Sequence, residues 1–241
     1  MTPNLNSLFN DIAPTYDLLN RLFSFMCDRR WRNRAIQAVT IPPDAVVLDV
    51  CTGTADIALA IAARQPDCRV YGIDFSGNML AHGQRKCAST PLATNIQLIQ
   101  ADALHLPFSD HACHTVFLSF GLRNLRERDQ GLREISRVLQ PQGQIAMLEF
   151  CPPPPNLFGK VYRLYLGTLI PFIGKIVSKS STAYHYLHTS IAEFPEPAAI
   201  ITLLQATGFG TISWKPLMMG IVALYVATKP EPNLQIFREN S

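Results

Sequence analysis

Two carboxylates flank a glycine turn near the start of the chain. The run Val46-Val-Leu-Asp-Val-Cys-Thr-Gly-Thr-Ala-Asp56 predicts a strand that ends at Asp49, a turn at Gly53 and a helix that begins at Asp56. Gly53 lets the backbone approach a ligand closely. Because neither a full GxGxxG nor a phosphate-binding lysine accompanies it, a pyrophosphate is disfavoured. Negative charge at Asp49 and Asp56 suits instead the ammonium and sulfonium groups of S-adenosylmethionine.

Polar residues also stand at the ends of three further predicted strands. Asp74 ends the second strand, where an acidic residue accepts hydrogen bonds from both ribose hydroxyls of a nucleotide. Asp102 and Ala103 follow the third strand, where they would meet an adenine amino group, and Ser119 ends the fourth. Each aspartate alone is equally well explained as a helix N-cap, but four such strand ends are far rarer by chance. The pattern therefore predicts S-adenosylmethionine as cosubstrate, and we expect no metal.

Composition argues against several other classes of protein. The net charge is +3 without a run of basic residues, which gives nucleic-acid binding little electrostatic support. The six cysteines are scattered without a CxxC pair, so neither a metal knuckle nor a disulfide framework is indicated. We expect reduced thiols in a cytoplasmic protein, no signal peptide, and no bilayer span, because the longest uncharged apolar stretch is about half the length a span needs.

Short apolar runs alternate with helical patterns along most of the chain. Apolar strands separated by helices are typical of a parallel sheet covered on both faces, so we expect a Rossmann-like α/β fold with a mostly parallel seven-stranded sheet, helices on both faces and a small cap. The predicted strands cover residues 45–50, 69–73, 96–100, 115–119, 144–150, 211–215 and 221–228, and the predicted helices 5–22, 28–39, 56–64, 76–87, 129–139 and 197–206. We expect a single domain over 1–241, with N-terminal helices at 5–40, a core at 44–150, a cap at 151–195 and a C-terminal helix and strands at 196–229.

Several longer stretches are more specific than the strand-end pattern. They are Phe9-Asn-Asp-Ile-Ala-Pro-Thr-Tyr-Asp-Leu-Leu-Asn20, Ser119-Phe-Gly-Leu-Arg-Asn124, Arg137-Val-Leu-Gln-Pro-Gln-Gly143, Leu148-Glu-Phe150, Tyr184-His-Tyr-Leu-His-Thr-Ser-Ile-Ala-Glu-Phe-Pro195 and Gly220-Ile-Val-Ala-Leu224. With them, residues 7–229 resemble the UbiE/MenG family of class I S-adenosylmethionine-dependent methyltransferases. That family C-methylates the ring in menaquinone and ubiquinone biosynthesis.

The resemblance implies a set of cofactor contacts. The residues that match the family's cofactor positions are Thr54, Asp74, Asp102, Ala103 and Ser119. The chain departs from the family pattern at four positions, which are Ala55, His114, Gln142 and Tyr225. Ala55 stands where the family has a second glycine, so the turn is strained unless the φ of Ala55 is negative.

The resemblance also implies a reaction on a reduced ring. An oxidised quinone is electrophilic, whereas a quinol that loses a hydroxyl proton becomes nucleophilic at the adjacent ring carbon. We expect Arg123 to stabilise the developing phenolate, Asn124 to orient the hydroxyl and Tyr16, with Asp17, to close over the cofactor. The plainer alternatives are a salt bridge from Arg123 to a surface acid and a core role for Tyr16. His185 and His188 are weaker candidates for a general base, because lone histidines are more often structural.

The segment after the four-proline run predicts the substrate side. Residues 150–192 contain no acidic residue, and they carry Lys160, Arg163, Lys175 and Lys179 among aromatic residues such as Phe172. A basic, apolar cap suits a prenylated quinol and peripheral contact with an anionic membrane at its cytoplasmic face. An ordinary cap packed on the sheet is the plain alternative. The sequence leaves a homodimer open.

Demethylmenaquinol is the substrate we expect. A ubiquinone-precursor benzoquinol and a phytyl-naphthoquinol remain open as alternatives. A catalytically inactive binding subunit with the same fold is an alternative of a different class, suggested by Ala55 and Gln142. An NAD-dependent oxidoreductase is disfavoured by the missing third glycine.

Overall fold

The computed structural model describes residues 5–91, 94–169 and 181–232. Phe172, Lys175, Lys179 and the side chain of His185 lie outside what it describes.

The N-terminal region is a broken helix. The predicted continuous helix over 5–22 is wrong: α1 (Leu5–Ile12) and α2 (Tyr16–Phe23) are separated by a 3-10 turn at Ala13–Thr15. Pro14 explains the break, because proline lacks an N–H and its ring clashes with the preceding turn of an α-helix. The break puts Tyr16 at the start of α2.

The central segment alternates strands and helices as predicted. Its elements are α3 (Asp28–Gln37), β1 (Val46–Val50), α4 (Asp56–Ala62), β2 (Arg69–Asp74), α5 (Gly77–Ala88), β3 (Ile96–Gln100), β4 (Cys113–Ser119), a 3-10 turn (Leu122–Asn124), α6 (Arg128–Val138) and β5 (Leu139–Phe150). β5 begins five residues earlier than predicted (Leu139 against 144). It therefore includes Gln142, which has a left-handed φ of 61°. The backbone hydrogen bonding of Gln142 is nevertheless satisfied, because its N–H donates to the Lys229 carbonyl, 2.9 Å away.

The C-terminal part completes the sheet. Its elements are α7 (Leu157–Leu164), a π-helical turn (Tyr165–Leu169), α8 (Ser181–Ala192), α9 (Pro197–Ala206), β6 (Ile212–Leu217), a 3-10 turn (Met218–Gly220) and β7 (Val222–Thr228). β6 runs two residues beyond its predicted end, through Pro216, which an edge strand tolerates because the missing N–H faces no partner. Among the residues described, no helix combines the length and apolar character needed to cross a bilayer.

The seven strands form one sheet in the order β3-β2-β1-β4-β5-β7-β6. β7 is antiparallel to both of its neighbours, and the other pairings are parallel. The expected mostly parallel seven-stranded sheet is therefore confirmed. The strand order reverses between β1 and β4, and ligands of such folds bind outside the carboxyl ends of the strands at that point.

Helices cover both faces of this sheet, and each face has its own hydrophobic core. Val47 and Phe117 lie in one cluster, and Leu48 and Val116 lie in the other, because successive strand side chains point to opposite faces. Burial of each such side chain stabilises the fold by roughly 1.5–3 kcal/mol. The result is a rigid strand edge from which the polar residues project.

Candidate functional site

A cavity of about 260 Å³ opens at the carboxyl edge of β1, β2 and β4. It is lined by Leu5, Phe9, Tyr16, Cys51, Gly53, Asp74, Phe75, Met79, Asp102, Leu104, Ser119, Phe120, Asn124, Leu125 and Arg126. Six of the ten predicted site residues are therefore brought together here: Tyr16, Gly53, Asp74, Asp102, Ser119 and Asn124. The N-terminal helices form part of the wall, so they cover the site as expected for Tyr16.

Asp74 is held at the end of β2 by two backbone donors. Gly53 N–H donates to its Oδ2 over 2.8 Å, and Ser76 N–H donates to its Oδ1 over 2.9 Å. Burial raises the pKa of Asp74, and these hydrogen bonds oppose the rise. A carboxylate oxygen accepts more than one hydrogen bond, so both oxygens retain capacity for the two hydroxyls of a ribose.

Every second residue in the turn after β1, from Cys51 to Ala55, has a left-handed backbone conformation. Cys51, Gly53 and Ala55 have φ values of 57°, 55° and 65°. The φ of Ala55 is therefore positive, and the turn is strained there, because a left-handed residue with a Cβ costs about 1–2 kcal/mol. The left-handed turn ends at the first residue of α4 and brings the Gly53 N–H towards Asp74.

Asp49 lies behind the cavity. It is 1% exposed and lines a recess of about 20 Å³ that shares Tyr16, Cys51 and Ser119 with the cavity. Burial raises the pKa of Asp49 to about 7, although the Thr52 hydroxyl donates to its carboxylate and opposes that rise. Asp49 can thus place a titratable negative charge next to the cavity, without lining it.

Ser119 and Asp102 complete the strand-end set. The Ser119 hydroxyl is buried and has no hydrogen-bond partner in the structure described, and buried polar groups are normally satisfied. Asp102 is exposed and accepts a hydrogen bond from Leu104 N–H at 2.9 Å. Ala103 is buried beside it and does not line the cavity. The unsatisfied Ser119 hydroxyl and the Asp74 carboxylate line the same cavity. Together they fit a ligand that carries both hydrogen-bond donors and acceptors, as S-adenosylmethionine does.

Thr54 and Asp56 take part in an ion-pair network. The Thr54 hydroxyl donates to Asp17 on α2, and Lys86 Nζ contacts Asp17 at 2.9 Å, Thr54 Oγ1 at 3.1 Å and Asp56. Asp56 lines the recess beside the cavity together with Asp49, and Lys86 and Arg32 compensate its negative charge there. Burial acts against ionisation of Asp56, but these two cations lower its pKa overall. The network attaches α2 to the cofactor turn.

Arg123 does not face the cavity as predicted. Its guanidinium is 7% exposed and pairs at 2.7 Å with Glu149, which is fully buried at the end of β5. The same guanidinium donates to the Phe120 carbonyl, and the Arg123 backbone N–H donates to Glu149 at 3.1 Å. Burial lowers the pKa of Arg123, but Glu149, with smaller contributions from Tyr16 and Tyr186, raises it overall, so the arginine stays charged. The partner of Arg123 is thus a buried acid, whereas the alternative considered from the sequence was a salt bridge to a surface acid.

Asn124 and Tyr16 do face the cavity. The Asn124 amide donates to the Phe120 carbonyl at 3.3 Å, and its Oδ1 accepts a hydrogen bond from the Tyr186 hydroxyl at 2.9 Å. Burial raises the pKa of Tyr16, so its hydroxyl stays protonated at neutral pH and can donate. His188 does not line the described cavity. Its Nε2 lies beside Gly167 of the cap, 3.8 Å from the position that a Cβ atom would occupy if Gly167 had a side chain.

Sequence reasoning missed three residues that shape the site. Glu149 and Tyr186 lie inside stretches that carry the family resemblance, but nothing in those stretches indicates their partners. Lys86 lies on α5 without any motif, and its two acidic partners are 30 and 69 positions away. In the ranges described, no three metal-binding side chains come together.

The family whose pattern matches this chain is described as the ubiE/COQ5 methyltransferase family, and the match covers residues 2–229. The chain belongs to the ubiE/COQ5 methyltransferase family. It is therefore an S-adenosylmethionine-dependent methyltransferase, as the strand-end residues predicted.

Individual relatives agree with this assignment. The chain is 42% identical over 223 residues to the demethylmenaquinone methyltransferase of Thermus thermophilus, a match that covers 92% of this chain and 100% of the relative. It is 40% identical over 226 residues to the ubiquinone/menaquinone biosynthesis C-methyltransferase UbiE of Geotalea daltonii, covering 93% and 96%. A solved S-adenosylmethionine-dependent methyltransferase of Thermotoga maritima shares the fold, with a TM-score of 0.66, 13% identity and 92% and 99% coverage.

Proposed function

We propose that this ubiE/COQ5 family member transfers the methyl group of S-adenosylmethionine to a ring carbon of a reduced prenylated quinone, and that its substrate is demethylmenaquinol. Two relatives whose whole lengths are matched carry the names of demethylmenaquinone and ubiquinone/menaquinone methyltransferases. Those names leave a benzoquinol precursor of ubiquinone, and a phytylated naphthoquinol, as the alternative rings.

The observation that carries this proposal is the cavity wall beyond the strand ends. Phe9, Phe120 and Leu125 provide apolar surface, and Tyr16 and Asn124 place a hydroxyl and an amide on the same cavity. Flat apolar walls with a few polar groups are suited to an aromatic ring that bears hydroxyls. Asp74 and Ser119 lie at the strand-end side of the same space, so a cofactor and a ring can be bound side by side.

The chain's own residues then position the quinol and control its proton. The bound S-adenosylmethionine supplies the methyl group. Tyr16, whose burial raises its pKa, donates a hydrogen bond rather than taking a proton, and Asn124 orients a ring hydroxyl while Tyr186 fixes the amide. Arg123 lies behind this wall in an ion pair with Glu149, and the positive end of that pair favours the deprotonated hydroxyl that makes the adjacent carbon nucleophilic. This role acts through electrostatics, since Arg123 does not line the cavity. The hydroxyl proton passes to water, and the ring carbon that takes the methyl group loses its own proton to water.

The partners of the enzyme belong to the same proposal. A prenylated quinol resides in a membrane, so we propose that the chain works as a peripheral protein at the cytoplasmic membrane face. A homodimer and nucleic-acid binding are not part of the mechanism, and the small net charge of +3 gives the latter no support.

Methyl transfer with a panel of ring substrates tests the proposal. The protein is incubated with labelled S-adenosylmethionine and with naphthoquinols and benzoquinols held reduced, beside the same compounds held oxidised. Label should enter the reduced naphthoquinol fastest and should not enter oxidised quinones. Equal turnover of an oxidised quinone would contradict the phenolate mechanism. Cofactor binding without label transfer to any ring would favour an inactive binding subunit, the alternative to which the strained Ala55 points.

A further inference from the structure

Two apolar segments are exposed on the cap side of the molecule. Phe25 and Met26, between α2 and α3, are 57% and 61% exposed. Leu157, Val161 and Leu164 on α7 are 78%, 59% and 65% exposed. Contiguous exposed apolar side chains on a folded protein mark an interaction site.

The three α7 residues form a stripe along one side of the helix. Their spacing of four and three residues places them on one face. Tyr162 lies on another face and is buried in the core. The helix thus packs through one apolar face and leaves a second one exposed, so folding of the described chain does not explain the stripe.

The two exposed segments are parts of one surface. The Phe25 ring stacks on Tyr165, directly after α7, with ring centroids 5.1 Å apart and an interplanar angle of 29°. On a helical projection, Tyr165 adjoins Val161. We call the group Phe25, Met26, Leu157, Val161 and Leu164 the docking surface.

Basic side chains flank the docking surface. Lys160 and Arg163 are exposed beside the stripe on α7, and Arg29 and Arg30 are exposed at the start of α3 after Met26. Residues 150–192 include no acidic residue. A second copy of this chain would bring the same positive charge to the surface and be repelled, whereas an anionic lipid bilayer offers both an apolar interior and negative headgroups.

We propose that the docking surface inserts into the headgroup region of an anionic bilayer. The inference deepens the proposed function, because a lipid quinol must leave a membrane to reach the cavity. Tyr162 on α7 and Phe120 belong to one hydrophobic cluster, and Phe120 also lines the cavity. The hydrophobic cluster behind α7 therefore reaches the wall of the cavity, so the proposed membrane contact is continuous with the ring site through apolar packing.

Vesicle sedimentation with matched variants tests the docking surface. Wild-type protein is mixed with vesicles of phosphatidylcholine alone and of equal parts phosphatidylcholine and phosphatidylglycerol. We expect at least about tenfold tighter binding to the anionic vesicles and weaker binding as salt rises. Val161→Gln with Leu164→Gln should weaken binding at least about tenfold, and Lys160→Gln with Arg163→Gln should weaken it about 25-fold. Trp214→Gln, at an exposed aromatic residue on the edge strand β6 that is not part of the docking surface, should leave binding unchanged.

Three results would overturn the inference. They are the absence of wild-type binding, equal binding to both vesicles, and unchanged binding of both cap variants with unaltered thermal midpoints. Self-association that the cap variants abolish, measured by light scattering without vesicles, would assign the surface to a second copy instead. The cap variants should retain methyl transfer to a water-soluble short-chain quinol. Failure of wild type on every quinol would remove the proposed function and leave the vesicle result standing.

Discussion

The guanidinium of Arg123 and the carboxylate of Glu149 form a buried ion pair across 2.7 Å, between the turn that follows β4 and the end of β5. Glu149 also accepts hydrogen bonds from the backbone N–H groups of Arg123 and Phe150. One carboxylate thus fixes both the Arg123 turn and the adjacent strand end. Because Asn124 follows Arg123 directly, the pair also sets where the Asn124 amide enters the cavity.

Breaking one side of this pair should be costly. Glu149→Gln leaves a buried cation without its counter-charge, so we expect a loss of about 3–5 kcal/mol in the free energy of unfolding, measured by urea denaturation. Arg123→Gln should lower kcat at least about tenfold, about 1.4 kcal/mol, which is less than the loss of a donor in direct contact with an oxyanion would cost. S-adenosylmethionine affinity should change little, since Asp74 and Ser119 remain.

The double variant distinguishes electrostatics from scaffolding. Arg123→Gln with Glu149→Gln removes both charges, so stability should recover relative to Glu149→Gln alone. If Arg123 acts only by fixing the turn, kcat should recover in parallel with stability. If its charge stabilises the phenolate, kcat stays low in a stable protein, and full activity of that protein would sink the electrostatic role.

The strand ends and the Arg123 pair show what a sequence can and cannot predict here. Asp74, Asp102 and Ser119 were placed correctly because the carboxyl ends of parallel strands meet at one edge of a sheet whatever the details of packing. The partner of Arg123, Glu149, is 26 positions further along the chain. The two meet only because β5 pairs with β4, and no local sequence pattern indicates that pairing. The break at Pro14 has a local cause, since proline interrupts an α-helix, whereas the left-handed φ of Ala55 belongs to the turn that brings the Gly53 N–H to Asp74.

Asp74 should carry a large share of cofactor affinity. Asp74→Ala removes a charged acceptor for two hydroxyls, so S-adenosylmethionine should bind at least about tenfold more weakly, about 1.4 kcal/mol. Calorimetry on the folded variant measures the change. Asp67→Ala, at an exposed aspartate, is the matched control and should bind as wild type does. Unchanged affinity of the Asp74 variant would remove that residue from the site.

Asp49 should make cofactor binding depend on pH. Its folded pKa of about 7 is above the usual value of 3.8 because burial disfavours the charged form. Its ionisation therefore costs stability as pH rises from the unfolded pKa to the folded one, and a cationic ligand offsets that cost. We expect S-adenosylmethionine affinity to rise, by up to about tenfold, between about pH 6 and 8. Asp49→Asn should flatten that rise, and an identical pH profile in the variant would assign it to another group.

Lys86 should hold the N-terminal helices against the cofactor turn. Lys86→Met leaves Asp17 and Asp56 without their shared cation, so amide hydrogen exchange in residues 5–23 should speed up while exchange in the sheet stays unchanged. Both S-adenosylmethionine affinity and kcat should fall, because Tyr16 lines the cavity from α2. Lys86→Arg keeps the charge and should restore most of the protection. Equal exchange in wild type and Lys86→Met would show that packing alone seats these helices.

Ala55 should be improved by glycine. Its φ of 65° is left-handed, a conformation that glycine adopts without the cost of about 1–2 kcal/mol that a Cβ brings. Glycine also has more freedom in the unfolded chain, which takes back about 0.4–1 kcal/mol. The fully buried methyl group of Ala55 is also lost, which costs about 0.8 kcal/mol. We therefore expect Ala55→Gly to raise the free energy of unfolding by at most about 1 kcal/mol, read from the urea midpoint at unchanged slope.

The same substitution at an ordinary helical position isolates the cause. Ala81 is exposed within α5, so Ala81→Gly should lower stability by about 1 kcal/mol, opposite in sign to Ala55→Gly. Opposite signs would tie the gain to the left-handed turn and not to glycine in general. If the Ala55 variant is instead destabilised as much as Ala81→Gly, the relief of strain is smaller than the loss of the buried methyl group. If it is stabilised but binds S-adenosylmethionine more weakly, the strain holds the Gly53 N–H in place against Asp74, and the departure from glycine at this position serves binding at the expense of stability.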